Sequence, residues 1–470
     1  MGVLSSKGSR PLPEEGSYFG LENFGNTCYC NAVLQALYFT LPFRQRVIAY
    51  YLAWQARKEK TSPLGWGAQN QGENLLTALG EMFHHIQKQK NRTGTYAPKR
   101  FLLHLRKANP MFKEMVQQDA HEFLGFLLNE ISELLLKAEE EEKEKEREQL
   151  RRQLPLRQQE KAICQEHQRK EQDAMALATH RKQKRELEAV IGTFEYSGNQ
   201  KGSCSSSSML AEESLSEPSL IMELPSNNNS RESESSGGES GDVSGNASED
   251  DVEEEHKPRK TFIQAVFEGI LTNETKCMCC EQVKNKNECF LDLSLDIEHN
   301  SSVSHCLRSF SHVEMLDKED KFFCECCNSL QEAQKRLKIK ELPHILIVHL
   351  KRFKFTENYQ FRKLSYCVSF PFEMRLTNTC QDTVDKYRFY DLYAIVVHIG
   401  SSPYSGHYIC FVKSQGTWLV FDDDYVSAVD ERQIIALFGN GQSGNGNGGY
   451  RSSQCGYLLF YQTRQAAEPA

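Results

Sequence analysis

Apolar residues recur with helical spacing in the first third of this chain: Val33, Leu34, Leu37 and Tyr38, then Leu75, Leu76, Leu79 and Phe83, then Phe101, Leu102 and Leu105. A period of 3.6 residues predicts half-buried helices forming a mainly α lobe. A further helix is predicted to open across Gln117–Glu122, with Phe123, Phe126, Leu127 and Glu130 defining its faces. The pattern changes at Ala138. Glu, Lys, Arg and Gln dominate to about Glu188 without a sustained a/d seam, which predicts a solvated single helix or fraying coil rather than a coiled coil. Residues 197–258 then collect Ser, Gly, Asn and acids with almost no aromatic residue, the composition of a disordered segment. After Thr261 the pattern becomes that of strands: Ile345–Leu350, Tyr366–Phe370, Leu392–Val397, His407–Val412, Trp418–Phe421 and Tyr457–Tyr461. Their β-branched and aromatic residues, broken by Pro, Gly and Asn, predict a largely antiparallel sheet. Helices followed by strands make an α+β chain.

Composition narrows the partners. The chain has 470 residues and a formal charge of −8, and residues 138–260 alone hold 18 Lys or Arg against 28 Asp or Glu. The acidity therefore belongs to the insertion and says little about a substrate. No basic stripe with interleaved aromatics points to nucleic acid, and no apolar run approaches the roughly 18 residues that span a bilayer. Met1 to Pro13 lacks an apolar leader core, so the sixteen cysteines are read as reduced thiols and metal ligands of a cytoplasmic or nuclear protein. The run Met1-Gly2-Val3-Leu4-Ser5-Ser6 fits an N-myristoylation pattern and equally fits a flexible polar tail. No cysteine precedes Cys28, and only Lys7 and Arg10 add charge, so lipid contact is at most marginal and reversible.

The chemistry concentrates in three boxes. In Gly20–Gln35 (GLENFGNTCYCNAVLQ), Cys28 follows a Gly-Asn-Thr turn and begins an apolar-periodic segment. A thiol at a helix N-terminus is favoured as thiolate by unpaired backbone N–H groups and the positive end of the macrodipole. A lone cysteine is more often an inert core residue, but this one has distant companions. His407 in SGHYICFV and Asp422 in WLVFDDD follow in the order nucleophile, base and orienting acid, which fits a papain-like triad. Asp423 is the alternative third member. A hairpin from His407 to Asp422 would set the two side by side. Attack on an amide or isopeptide carbonyl needs donors for the developing oxyanion, worth on the order of 3 kcal/mol each, and Asn23 and the N–H of Cys28 are candidates. Asn23 also reads as a turn residue beside Gly25. Asp119 and Glu122, at i and i+3, form either an anionic clamp or ordinary helix-start carboxylates. His121, His349 and His398 read as structural.

Cys277-Met278-Cys279-Cys280 and Cys324-Glu325-Cys326-Cys327 each contain C-x-x-C, the signature of a four-thiolate structural zinc site at Cys277, Cys280, Cys324 and Cys327. Disulfides are the competing reading, and Cys279 or Cys326 could substitute as ligands. Gly439–Gly444 formally matches GxGxxG but has no strand before it or helix after it, so it reads as a surface loop.

Together the boxes resemble the ubiquitin-specific proteases, cysteine deubiquitinases, and within them the branch activated by WD-repeat proteins. The resemblance spans nearly everything except residues 138–258. It implies a papain-like α+β fold: a helical thumb at 17–137, zinc-tied β fingers at 259–344 and an antiparallel-sheet palm at 345–464, with tails at 1–16 and 465–470. It implies Cys28 as nucleophile, His407 as base, Asp422 as orienting acid and Asn23 as oxyanion donor, with Asp119, Glu122 and Tyr408 contacting substrate. The implied reaction is hydrolysis of isopeptide bonds after the last Gly of ubiquitin through a thioester, with structural zinc, and with ubiquitin, ubiquitinated proteins and a WD-repeat activator as partners. A catalytically silent ubiquitin-binding scaffold is the rival, and the presence of Cys28, His407 and Asp422 argues against it. A redox or zinc-regulatory protein would leave the first and last boxes unexplained.

Overall fold

All the helical periodicities are realised as helices. The computed structural model describes residues 11–61, 72–113, 116–153, 163–171, 175, 260–355, 361–402, 405–439 and 453–464. Within these, α1 is Cys28–Phe39, α2 Leu41–Thr61, α3 Leu75–Gln87, α4 Lys99–Ala108 and α5 Ala120–Gln153. The sequence reading passed over α2 because its apolar stripe is short: Phe43, Val47 and Ile48 are buried, but Leu52 is exposed. α3 starts with a capping box in which the Asn74 side chain accepts from Thr77 N at 2.9 Å and Thr77 Oγ1 accepts from Asn74 N at 2.9 Å.

The 34 residues of α5 carry the chain across the compositional break at Ala138 without interruption. Its first turns bury Phe123, Leu127, Leu128 and Ile131, whereas residues from Glu140 onward are almost all exposed. The chain divides into one unit of Met1–Lys143 with Pro258–Ala470, and a second of Glu144–Lys257. Most of the second unit, including 197–258, lies outside the described residues, as do Gly2, Lys7, Arg10 and the Gly-rich run beyond Gly439. Among the described residues no helix is long and apolar enough to cross a membrane.

The larger sheet has eight strands. They run in the order Tyr425–Val429, Thr417–Asp422, Ser405–Ser414, Phe389–Ser402, Cys455–Thr463, Ile345–Leu350 and Leu293–Leu295, with Glu373–Arg375 pairing onto Phe389–Ser402. Every pair is antiparallel except Ile345–Leu350 with Leu293–Leu295. One face packs on the helices through Val396, Cys410, Leu419 and Phe460, and the other builds a second core from Ile395, Ile409, Val420 and Leu459. Burial on both faces explains why these strands read as continuous apolar runs.

Arg352 closes this second core from inside. It is fully buried and, among the described residues, has no carboxylate partner; instead it donates to the carbonyls of Gly456 at 2.6 Å, Leu364 at 3.0 Å and Tyr366 at 3.0 Å. Lys363 ties the strand ends that precede His407, donating to the carbonyls of His398, Gly400 and Ser453 at 2.8, 3.0 and 2.8 Å.

A separate antiparallel sheet orders Val283–Phe290, Gly269–Cys277, Ala333–Glu341 and Glu314–Leu316. In Val283–Phe290 only Phe290 is buried. A sheet this wet has little apolar core to add to its ladder hydrogen bonds, and its strands carry no apolar signature in the sequence.

Candidate active site

The turn before α1 is built for a tight reversal. Gly25 and Asn26 have φ of 82° and 54°, in the left-handed region that Gly and Asn tolerate best. Asn23 Oδ1 accepts from Thr27 N and Thr27 Oγ1, both at 3.2 Å, and Thr27 Oγ1 accepts from Phe24 N at 3.0 Å. With Thr27 so occupied, α1 has no side-chain cap, and Cys28 stands as its first residue. The first-turn N–H groups of a helix have no partner within the helix, so they are available to an anion.

His407 and Asp422 lie on neighbouring strands, Ser405–Ser414 and Thr417–Asp422, joined by a turn at Gln415 and Gly416 whose φ values are 49° and 77°. His407 Nε2 and Asp422 Oδ1 are 2.6 Å apart. The hydrogen bond with Asp422 first, and one with the Cys28 thiol second, push the imidazole up to about 10. With Nε2 committed to the carboxylate, Nδ1 is the nitrogen left to face the thiol.

The next residue turns the other way. Asp423, at φ 50°, accepts from Asn23 Nδ2 at 2.8 Å through Oδ2 and from Asn31 Nδ2 at 2.8 Å through Oδ1, and its carbonyl accepts from Leu21 N at 2.7 Å. Burial holds its carboxyl above the usual carboxylate range, opposed by the two amides. The backbones meet so closely here that a Cβ on Gly20 would lie 2.3 Å from the Asp424 carbonyl oxygen. Asp422 is thus the acid bonded to His407, and Asp423 the acid bonded to Asn23. Strand periodicity could not have separated them, because the left-handed residue between strand and turn sets their directions.

The expected clamp is asymmetric. Asp119 is committed: its carboxylate accepts from Tyr457 Oη at 2.7 and 2.6 Å and from His121 N at 2.6 Å, while Glu122 is exposed. Tyr408 departs from its expected place. It is 1% exposed, in the core below the cleft rather than on its surface, because the strand turns His407 outward and its neighbour inward. Tyr457 and Asp292, which organise this region with Asp119 and His121, carried no sequence motif.

The four expected thiols converge. Cys280 and Cys324 sulfurs are 3.5 Å apart, Cys277 and Cys327 sulfurs 4.0 Å, and all four lie within 4.8 Å of one another. Two thiolates on one tetrahedral ion, with metal–sulfur bonds of about 2.3 Å, would be separated by about 3.8 Å, so the set fits a metal. Backbone N–H donation from Cys280 brings the Cys277 thiol down to about 7. Cys279 and Cys326 are exposed and outside the group, so neither replaces a ligand.

Helical thumb, cysteine-tied fingers and two-faced sheet make up the fold of a papain-like cysteine protease. The family model described as ubiquitin carboxyl-terminal hydrolase matches residues 19–461, and the chain belongs to that family. It is 39% identical over 468 residues to ubiquitin carboxyl-terminal hydrolase 4 of Arabidopsis thaliana, covering 98% of this chain and 99% of that one. It is also 39% identical over 458 residues to ubiquitin carboxyl-terminal hydrolase 12 of Salmo salar, covering 97% and 92%. Among solved structures, the SAGA Ubp8/Sgf11/Sus1/Sgf73 module bound to ubiquitin aldehyde has a similar fold, with TM-score 0.56, 22% identity and coverage of 96% of this chain and 70% of that one. The same module bound to monoubiquitin gives 0.57, 23%, 99% and 73%.

The raised His407 fixes a pH dependence. Its folded-state value of about 10 exceeds the ordinary 6.5, so the stabilisation from its partners is fully present below pH 6.5 and is lost as pH rises through about 10. Asp422→Asn is expected to bring the imidazole back toward its ordinary value and to flatten stability over that window. NMR titration of His407 together with melting temperature against pH checks both, and an unmoved titration would refute the dominance of Asp422.

Proposed function

We propose that this chain is a deubiquitinase that hydrolyses the isopeptide bond at the C-terminal Gly of ubiquitin through a thioester on Cys28. The observation that carries this is His407 held between Asp422 and the Cys28 thiol at the start of α1. With the thiol's proton already resting on His407, the sulfur attacks the Gly carbonyl carbon. The oxyanion is received by the Cys28 N–H and the Asn23 amide, and His407 returns the proton to the departing amine. Water, deprotonated by His407, then cleaves the thioester and frees the sulfur. Asp422 keeps the imidazole oriented and supports its positive charge. Asp423 acts through Asn23, holding one amide hydrogen so that the other points at the oxyanion.

Asp119 and Glu122 give the cleft an acidic floor suited to the basic tail of ubiquitin. The solved Ubp8 relatives hold ubiquitin aldehyde and monoubiquitin, which supports this substrate class. Cys277, Cys280, Cys324 and Cys327 hold a structural zinc whose closed coordination leaves it no part in the reaction. Reduced sulfur is required at both sites, which supports a cytoplasmic or nuclear enzyme. A WD-repeat protein raises turnover by ordering the cleft; the Ubp8 relatives likewise work within a module of several subunits.

Cys28→Ala is expected to abolish cleavage of a ubiquitin C-terminal reporter while ubiquitin still binds. Near-normal turnover in that variant would sink the triad, and Asn23→Ala should lower kcat by about 100-fold or more without a matching rise in KM. Metal analysis should find one zinc per chain. Cys280→Ser should lose it and weaken ubiquitin binding; a folded, active protein free of zinc is the contrary result. For the activator, WD-repeat proteins that co-purify with the chain are added to the reporter assay, where an increase in kcat is expected and an unchanged rate with each would remove the proposal.

A further inference from the structure

A second group of metal-type ligands stands apart from the four thiols. His121 at the start of α5, Asp292 just before the strand Leu293–Leu295, and His349 in the strand Ile345–Leu350 offer donor atoms that all lie within 4.8 Å of one another. His121 Nε2 is 3.1 Å from Asp292 Oδ2. Ser294 Oγ donates to the same oxygen at 3.0 Å and lies 2.8 Å from His349 Nδ1. A hydroxyl has one proton, and that of Ser294 goes to Asp292. His349 must therefore carry its hydrogen on Nδ1 and donate to Ser294, which leaves a lone pair on Nε2. An imidazole fixed in its tautomer by a hydrogen bond on the far nitrogen is the usual preparation of a metal ligand.

The catalytic steps use none of these groups. His349 is buried, yet the side chains of His121 and Asp292 are 27% and 25% exposed, so an ion can enter from solvent. The two imidazoles stack with centroids 3.8 Å apart and planes 13° from parallel, and Tyr457 backs His349 edge-on at 4.9 Å.

We propose that His121, Asp292 and His349 form a second divalent-metal site, for zinc or a similar borderline ion, that ties the first turn of α5 to the palm sheet. Two imidazole nitrogens and one carboxylate oxygen select such ions over magnesium and calcium, which prefer all-oxygen shells. On binding, the doubly protonated His121 ring gives its Nε2 proton to solvent and keeps its hydrogen on Nδ1, so that it binds the metal as a neutral imidazole, and Nε2 of His349 and an oxygen of Asp292 complete three bonds of about 2.0 to 2.2 Å. The more exposed ring, His121, swings out of the stack to admit the ion. Water takes the fourth position. Two neutral imidazoles and one carboxylate offset half the charge of the ion, and its bonds lie two residues from Asp119.

Cobalt(II) titrated into the full-length Cys28→Ala protein, with zinc left in its thiolate cluster, tests the site independently of catalysis. The expected result is one added cobalt per chain with visible d–d bands and no sulfur-to-cobalt charge transfer, displaced by zinc and not by magnesium. His121→Asn and His349→Asn should each weaken it at least tenfold. His121, the more exposed residue, keeps the test decisive if the His349 variant fails to fold. Absence of added cobalt, a charge-transfer band, or binding unchanged by His121→Asn would overturn the assignment. The last result would place the ion elsewhere, such as at His407 and Asp422.

Discussion

Asp423 fastens the two ends of the chain together. Its two carboxylate oxygens and its carbonyl accept from Asn23, Asn31 and Leu21, residues some 400 positions earlier. Hydrogen bonds to a charged acceptor contribute about 1.5 to 3 kcal/mol each, and losing them would leave a half-buried carboxylate unpartnered. The acid that follows Asp422 thus docks the strand hairpin onto the helix that begins with the thiol. Without that docking, His407 and Asp422 would form a pair apart from the Cys28 thiol, and Asn23 would lose its partner Asp423.

Around that fastening the molecule uses two different means of holding strands. The eight-stranded sheet is covered on both faces, so its strands cohere through burial, and Arg352 and Lys363 satisfy carbonyls that the packed core would otherwise leave dry. The four-stranded sheet has no such cover. Its strand Val283–Phe290 is exposed along almost its whole length, and the four thiols gathered near one end could hold a metal as the cross-link that apolar burial does not supply. A metal there would contribute to folding, whereas the proposed site at His121, Asp292 and His349 would join elements that already pack.

The helical lobe was legible because each apolar stripe is long enough to show its period, and α2 was not because Phe43, Val47 and Ile48 are its whole buried face. The palm strands were legible as apolar runs, except that Tyr366–Phe370 is a strand only at Val368–Ser369, which pairs in parallel with Ser301–Ser302 outside the large sheet. The finger strands were not, since residues such as Lys284, Asn285 and Lys286 face solvent on either side of the sheet and leave no alternation to read.

For the site, the sequence by itself determined which residues stand out as candidates: a thiol after a Gly-Asn-Thr turn, a histidine opening a strand, acids closing the next, and two C-x-x-C pairs. Each of these is a local pattern, and local patterns survive in one dimension. Only the tertiary structure decided which acid serves which partner, that Asp119 is held by Tyr457, that Tyr408 lies inside, and that His121 and His349 meet over Asp292. Those outcomes depend on the direction of side chains, most of them across contacts between residues more than a hundred positions apart, which the left-handed residue at Asp423 and the stacking of His121 on His349 set and no spacing along the chain encodes.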